Sequence, residues 1–227
     1  MPELKHEKDF TLEKYDEFYE HHFFQPLPED RALNAHRIIP RVDWAVDVAD
    51  EYKPKSVLDL GCLEGFAGLT VANHTSSVER LVGVDLSQEG IDIANSRGHL
   101  VGANTEFIQG TIEDFLETTK EKFDMIMLFE VIEHVKDPGL LIKLIDKVKS
   151  DDGVVLISTP DFEAPTFGKD DEQNKCHIRL YTLADEDYEA VNKHGNTRKA
   201  TSMSKQIGKK RIISIGTYSE LINCLYK

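Results

Sequence analysis

The chain has few cysteines and no long apolar run, and both scarcities exclude classes of protein. Its three cysteines, Cys62, Cys176 and Cys224, are widely separated and odd in number, so they predict neither a disulfide framework nor a zinc knuckle. No apolar stretch approaches the roughly 20 residues that cross a membrane. The opening residues MPELKHEKDF also lack the apolar region of a secretory signal. We therefore expect a cytoplasmic protein with no membrane partner.

Positive charge is also scarce, because 41 acidic residues outnumber 27 basic ones and give a formal net charge of −14. This balance argues against general nucleic-acid binding, which needs a basic surface. The charge is nevertheless uneven, since residues 190–219 contain only basic charged residues. That segment is either a solvated surface or a local site for an anionic substrate group or partner.

Apolar runs and helical patterns alternate along the chain after Lys53-Pro54-Lys55. The apolar runs predict strands at 56–60, 80–84, 105–109, 123–129 and 154–158. Helices are predicted between them, with Ser87 and Asp137 as N-caps and one helix at 64–73. Repeated strand–helix units with short connections predict an α/β fold with a doubly wound parallel sheet. We divide the chain into an N-terminal helical extension or lid, residues 1–52, and a main domain, residues 53–227.

The turn after the first predicted strand has the composition of a ligand-binding turn. It lies in VLDLGCLEG, residues 57–65, where Gly61 permits a sharp turn and Asp59 can accept hydrogen bonds from an amino group. Asp85 ends the second strand, where a carboxylate can bind both hydroxyls of a ribose. Leu63 and Phe66 stand where a dinucleotide-binding fingerprint has glycine, and the sequence contains no Walker phosphate loop. A ligand with a ribose and no pyrophosphate fits this pattern better.

Three segments together resemble the class I S-adenosylmethionine (SAM)-dependent methyltransferases: VLDLGCLEG, then GVDLS at 83–87, then FDMIMLFEVIEHV at 123–135. The resemblance covers about residues 54–182. It implies a Rossmann-like, seven-stranded sheet with helices on both faces and an antiparallel last strand, and SAM as the cofactor. The residues implied to bind SAM are Asp59, Gly61, Cys62, Leu63 and Gly65 at the methionine part, Asp85 at the ribose, Leu86, Thr111 and Ile112 at the adenine, and Phe129 at the end of the fourth strand.

Two of these positions depart from the family pattern. Thr111 stands where the family usually has an acid, so Glu113 or Asp114 would take that role. Leu63 replaces the middle glycine of the commoner Gly-x-Gly-x-Gly turn. We interpret it as a tolerated variant, because Gly61 and Gly65 both remain.

A second polar motif follows the fourth predicted strand. Glu130, Glu133 and His134 are spaced i, i+3 and i+4, so they would share one face of a helix. By the resemblance this motif lies beside the reactive methyl group. Similar Glu-x-x-Glu-His sets occur in the ubiquinone-pathway O-methyltransferases and in the small-RNA 3′-end 2′-O-methyltransferases. In the RNA enzymes these side chains hold a divalent metal together with a second histidine.

The residues around the acceptor leave three interpretations open. Glu130, Glu133, His134 and the second histidine, His177, could bind Mg²⁺ or Mn²⁺ and lower the pKa of the acceptor hydroxyl. Alternatively, His134 or His177 removes the proton without a metal, with Glu130 as a further catalytic group. In the third interpretation these side chains are structural.

We predict a SAM-dependent methyltransferase that methylates an oxygen of a small-molecule or sugar-like acceptor. The alternatives are a metal-dependent RNA 3′-end 2′-O-methyltransferase, with nucleic acid as its partner, and a non-catalytic SAM-binding protein.

Overall fold

The computed structural model describes residues 26–160 and the backbone of a strand at Lys210–Ile215. Several predictions concern residues outside this part of the chain: residues 1–25 of the N-terminal extension, His177, and most of the basic segment at 190–219. Among the described residues, no helix is both long enough and apolar enough to cross a membrane.

The strands of the described part form one sheet. They are β1 (Ser56–Leu60), β2 (Arg80–Asp85), β3 (Asn104–Gln109), β4 (Phe123–Phe129), β5 (Lys149–Pro160) and β6 (Lys210–Ile215). The order across the sheet is β3-β2-β1-β4-β5-β6. β1 to β5 pair in parallel, and β6 pairs antiparallel with β5. The predicted α/β fold with a parallel sheet is confirmed, whereas the seven-stranded sheet with an antiparallel last strand stays a prediction.

Helices connect these strands. They are α1 (Glu29–Ala32), α2 (Pro40–Tyr52), α3 (Phe66–His74), α4 (Gln88–Arg97), α5 (Ile112–Thr118) and α6 (Pro138–Val148). Both predicted N-caps are confirmed: the Ser87 hydroxyl accepts a hydrogen bond from Gly90 N at 3.1 Å, and the Asp137 carboxylate accepts one from Leu140 N at 2.9 Å.

The sheet is covered on both faces, because the strands point alternate apolar side chains into two clusters. On one face Met125 and Met127 of β4 pack in the cluster that includes Trp44 of α2. On the other face Ile126 of β4 packs with Leu141 of α6. Trp44 is fully buried, so α2 contributes to the same core as the sheet. The division of the chain at residue 52 stays a prediction.

Local backbone conformation changes two of the expected helices. α3 begins at Phe66 instead of residue 64, because Gly65 before it has a left-handed φ of 75°. The helix expected across Glu130, Glu133 and His134 is reduced to a 3₁₀ turn at Ile132–His134. Glu130 has a φ of 59° and so lies outside any right-handed helix. The three side chains therefore do not share one helical face.

The N-cap of α6 provides a stability prediction. Asp137→Ala should lower the free energy of unfolding by about 1 kcal/mol, because Leu140 N would lose its acceptor at the start of the helix. Urea denaturation measures the change. Asp137→Ser, which keeps an acceptor oxygen, should be affected less. Equal losses in the two variants would contradict a capping role.

Candidate active site

A cavity of about 460 Å³ opens where β1, β2 and β4 end. In open parallel sheets ligands bind at this edge, beside the point where the strand order reverses, which here lies between β1 and β4. Most of the predicted site residues line the cavity: Gly61, Leu63, Asp85, Leu86, Thr111, Ile112, Phe129, Glu130 and His134. Four other predicted residues in the described part do not line the cavity: Asp59, Cys62, Gly65 and Glu133.

Asp85 ties two loops together at the cavity wall. Its Oδ2 accepts a hydrogen bond from Leu63 N at 2.7 Å, and its Oδ1 accepts one from Ser87 N at 2.9 Å. A carboxylate has about four lone-pair positions. The single carboxylate of Asp85 therefore has the capacity to hold both loops at the cavity wall.

The turn after β1 contains three residues with left-handed backbone conformations: Gly61 (φ 73°), Leu63 (φ 47°) and Gly65 (φ 75°). A Cβ on Gly61 would lie 2.2 Å from Val131 Cγ2, so this glycine permits close contact between the turns after β1 and β4. Leu63 adopts the same region although it is a bulky residue, for which the conformation is an outlier. Its side chain lines the cavity.

Cys62 and Gly65 support the cavity wall from behind. Cys62 is buried, and a Cβ added to Gly83 of β2 would lie 2.8 Å from its Sγ. Burial, together with the charges of Asp85 and Asp59, raises the pKa of the Cys62 thiol. A Cβ on Gly65 would lie 2.9 Å from the Phe107 ring. Both residues thus determine how closely the turn packs against β2 and β3.

Asp59 has a different position from the one expected for a ligand of the SAM amino group. It is 2% exposed, and its Oδ2 accepts a hydrogen bond from Gly68 N at 2.9 Å. This donor belongs to the first turn of α3, whose N–H groups have no partner within the helix. Burial raises the pKa of Asp59 to about 7, and Asp85 adds to the rise, while the Gly68 N–H and Arg41 oppose it. Asp59 therefore caps α3 from the neighbouring strand.

Glu130 is held in place by β5. Its backbone N–H donates to Ser158 O at 2.9 Å, and its Oε1 accepts a hydrogen bond from Ser158 Oγ at 2.8 Å. The left-handed φ of 59° is unusual for a glutamate. Such strain persists where the surroundings over-determine it, and it is concentrated at functional sites. Glu130 lines the cavity, and the catalytic role suggested by the sequence stays a prediction.

Glu133 and His134 point to different environments. Glu133 is 1% exposed, and its Oε2 accepts a hydrogen bond from Thr159 Oγ1 of β5 at 3.1 Å. His134 lines the cavity. Among the described residues, no three histidine, cysteine or acidic side chains are grouped so as to hold a metal ion. The metal site with His177 as fourth ligand stays a prediction.

The two acidic residues after Thr111, Glu113 and Asp114, differ in their position relative to the cavity. Glu113 lines the cavity, whereas Asp114 is exposed and donates its backbone N–H to Thr111 Oγ1 at 3.0 Å. Thr111 is thus the N-cap of α5. Of the two acids, Glu113 is the one at the cavity wall, and its role in binding adenine stays a prediction.

Other residues of the cavity wall were missed by the sequence interpretation: Arg41, Phe66, Val131, Val135 and Lys136. Arg41 is the most informative, because it comes from the first turn of α2, far from the recognised motifs. Its Nε is buried without a hydrogen-bond partner among the described groups. The Pro40-Arg41 pair marks a helix start in the sequence, but it gives no sign that the arginine reaches the cavity.

The comparisons with known proteins define the class. A family model described as a methyltransferase domain matches residues 52–212. The chain therefore belongs to the class I SAM-dependent methyltransferase family that its motifs resemble.

Curated relatives include the ubiquinone biosynthesis O-methyltransferase of Actinobacillus pleuropneumoniae, which is 33% identical over 123 residues, 52% of this chain and 51% of the relative. The protein of the same name from Erwinia tasmaniensis is 30% identical over 125 residues, 55% of this chain and 50% of the relative. The chain spans about half the length of the curated relatives it matches.

Solved structures share the fold at lower identity. The YcgJ protein from Bacillus subtilis is 22% identical, with a TM-score of 0.52 over 66% of this chain and 65% of that one. The plantazolicin methyltransferase BpumL, in complex with S-adenosylhomocysteine (SAH), is 20% identical, with a TM-score of 0.54 over 76% of this chain and 72% of that one. These similarities support the Rossmann-like fold alone.

The raised pKa of Asp59 predicts how stability changes with pH. A folded-state pKa of about 7, above the ordinary 3.8, means that the folded protein binds more protons between these values, so stability falls as pH rises through this interval. Asp59→Asn keeps an acceptor for Gly68 N and removes the buried charge. Relative to the unsubstituted protein, its free energy of unfolding should rise from pH 4.5 to pH 8, by at most about 4 kcal/mol.

Urea denaturation at several pH values measures this effect. The matched control is Asp124→Asn. Partial burial acts to raise the pKa of Asp124, but hydrogen bonds from Lys55 N, Ser150 Oγ and Ser56 hold it below its ordinary value. That substitution should therefore give no relative gain over the same interval. Parallel profiles for Asp59→Asn and the unsubstituted protein would show that Asp59 is charged throughout.

Proposed function

We propose that the protein transfers a methyl group from SAM to a hydroxyl oxygen of a small-molecule or sugar-like acceptor. The observation that carries this proposal is that one cavity joins Asp85, at the end of β2, with Glu130 and His134, which follow β4. The first residue suits the ribose of SAM. The other two are acid–base groups suited to an acceptor hydroxyl.

The cavity fits SAM in size and in chemistry. Its volume of about 460 Å³ lies within the range of about 300–1,000 Å³ for small-molecule sites. Asp85 can accept hydrogen bonds from the ribose hydroxyls, and Leu86 and Ile112 offer apolar surfaces to the adenine. Arg41 can bind the carboxylate of the methionine part, which would give its buried Nε a partner.

The residues after β4 would serve the acceptor. Bound SAM supplies an electrophilic methyl group, so the task of the protein is to align the acceptor and remove its proton. A histidine titrates near neutrality and suits the base role, which we assign to His134, with His177 as the second candidate. Glu130, fixed by Ser158, can orient the acceptor hydroxyl or the base.

Oxygen is proposed as the acceptor atom because the curated relatives are named O-methyltransferases of ubiquinone biosynthesis. The mixed apolar and charged cavity wall is compatible with a small ring or a sugar-like molecule. No observation among the described residues favours an RNA acceptor or a SAM-binding protein without catalysis. The basic segment that would support RNA binding lies mostly outside the described residues.

The finer architecture is part of the same proposal. Arg41 belongs to the 1–52 extension and reaches the cavity, which supports the role of that extension in covering the site. The antiparallel pairing of Lys210–Ile215 with β5 supports the seven-stranded sheet of the family.

Binding and turnover assays test the proposed activity. SAH should bind the purified protein in calorimetry, and labelled methyl groups should pass from SAM to a member of a panel of catechols, phenols and hydroxylated sugars. Glu130→Gln should lower kcat by about 10²–10⁴-fold, because it removes an acid–base group, while leaving the SAH affinity essentially unchanged. The exposed Glu117→Gln is the matched control and should keep full activity. Absence of both SAH binding and methyl transfer would overturn the proposal.

Chelation distinguishes the base mechanism from the metal mechanism with Mg²⁺ or Mn²⁺. Because the Glu133 carboxylate is buried, accepts a hydrogen bond from Thr159 and does not line the cavity, we expect the rate to be unchanged in EDTA. The measurement is the initial rate before and after chelation, followed by addition of each metal. A loss of activity that Mg²⁺ or Mn²⁺ restores would establish the metal and refute the metal-free base.

A further inference from the structure

A buried ion pair lies beneath the turn that follows β1. Arg97, at the end of α4, donates from Nη1 to Glu64 Oε2 at 2.7 Å. The two side chains are 7% and 4% exposed. Burying two charges carries a large desolvation penalty, which the pair overcomes only with good geometry and further hydrogen bonds. The partners of these further hydrogen bonds identify the segment that the ion pair keeps in place.

Both partners bind the backbone of Leu27. Leu27 N donates to Glu64 Oε1 at 2.9 Å and to Oε2 at 3.1 Å, and Leu27 O accepts a hydrogen bond from Arg97 Nη2. Leu27 lies between Pro26 and Pro28, neither of which has an N–H. Its amide is therefore the only backbone donor of residues 26–28. We call the three residues Leu27, Glu64 and Arg97 the Leu27 clamp.

The clamp acts on the part of the turn that forms the cavity wall. Glu64 directly follows Leu63, whose N–H is bonded to Asp85. The start of α4 packs closely against Leu63 from the other side, since a Cβ on Gly90 would lie 2.9 Å from the Leu63 carbonyl carbon. Both ends of α4 thus contact the turn. Gly90, near the start of the helix, packs against Leu63, and Arg97, at its end, bonds to Glu64.

We propose that Glu64 and Arg97 are positioning residues through which the docked Leu27 segment sets the turn that binds SAM. The inference rests on the proposed function, because it takes the ligand at Leu63 and Asp85 to be SAM. Neither Glu64 nor Arg97 lines the cavity, so both act through Leu63. Loss of the clamp leaves the turn free to leave its left-handed conformation, and the contacts of Asp85 with the turn and with the ligand weaken together.

Removal of the Leu27 amide is the sharpest test. Leu27→Pro deletes the N–H that donates to Glu64. Leu27→Ala removes the side chain and keeps the N–H. We expect Leu27→Pro to raise the Kd for SAH about tenfold, the equivalent of one hydrogen bond to a charged group. Leu27→Ala should bind SAH like the unsubstituted protein.

Substitutions of the charged residues test the other side of the clamp. Glu64→Gln and Arg97→Met should also raise the SAH Kd and the KM for SAM about tenfold, with a smaller change in kcat. Arg97→Lys should fall between, because an ammonium keeps the charge and lacks the forked geometry that serves both Glu64 and Leu27. The matched control is Arg80→Met, which breaks the ion pairs with Glu106 and Glu121 at the amino end of β2. It should leave SAH binding unchanged.

Calorimetry is carried out at a temperature where thermal melting shows each full-length variant to be folded. If Arg97→Met does not fold, Leu27→Pro and Glu64→Gln carry the test. Combining Leu27→Pro with Glu64→Gln should raise the Kd by less than the product of the two separate effects, since removal of the N–H and loss of the acceptor's charge both weaken the contact between Leu27 and residue 64. Folded clamp variants with unchanged SAH Kd would overturn the inference and leave the proposed function intact. If the unsubstituted protein binds no SAH, the proposed function and this inference both fail.

Discussion

The position of the Asp85 carboxylate determines the shape of the cavity. β1 and β2 are adjacent and parallel, so the residues that follow them emerge at the same edge of the sheet. There one oxygen of Asp85 accepts the Leu63 N–H and the other accepts the Ser87 N–H. One carboxylate therefore fixes both the turn after β1 and the start of α4. The next residue of the turn, Glu64, bonds to Arg97 at the other end of α4, so the same helix contacts the turn at two points.

The wall after β4 is built on the same physical principle. Glu130 has a left-handed backbone, as Leu63 does, and Ser158 of the adjacent strand holds it by two hydrogen bonds. Gly61 brings the two walls together, because Val131 occupies the space that a Cβ there would need. In each wall a polar contact to a neighbouring strand or loop stabilises a conformation that the residue would otherwise avoid. The cavity-lining groups of both walls are therefore held by hydrogen bonds to neighbouring strands and loops.

The strands β1, β2 and β4 could be predicted from the sequence because each is a short apolar run, and two helix starts because Ser87 and Asp137 have clear capping chemistry. β5 starts at Lys149, before the apolar run that was predicted at 154–158, because its polar first residues also pair in the sheet. The direction of individual polar side chains could not. Asp59 caps α3 across a strand–helix contact, which no local pattern encodes. Glu133 is buried beside Thr159 of β5, in a segment that forms a 3₁₀ turn and not the longer helix that the spacing suggested. Arg41 reaches the cavity from a helix remote in sequence, so only the packing of α2 on the sheet reveals it.

Leu63 stands where related turns have glycine. The turn can still form, because the free-energy cost of a left-handed leucine is offset by a hydrogen bond of its N–H. A leucine in the left-handed region costs roughly 1–2 kcal/mol. The 2.7 Å hydrogen bond from its N–H to Asp85 has a charged acceptor and contributes about 1.5–3 kcal/mol, enough to offset that strain. Glycine-rich turns reach the same shape through backbone freedom, whereas here Asp85 and the Leu27 clamp impose it from both sides. The Leu63 side chain then lies on the cavity wall and reduces the space that a glycine would leave, so this turn restricts the poses of a bound ligand more than a glycine-rich turn would.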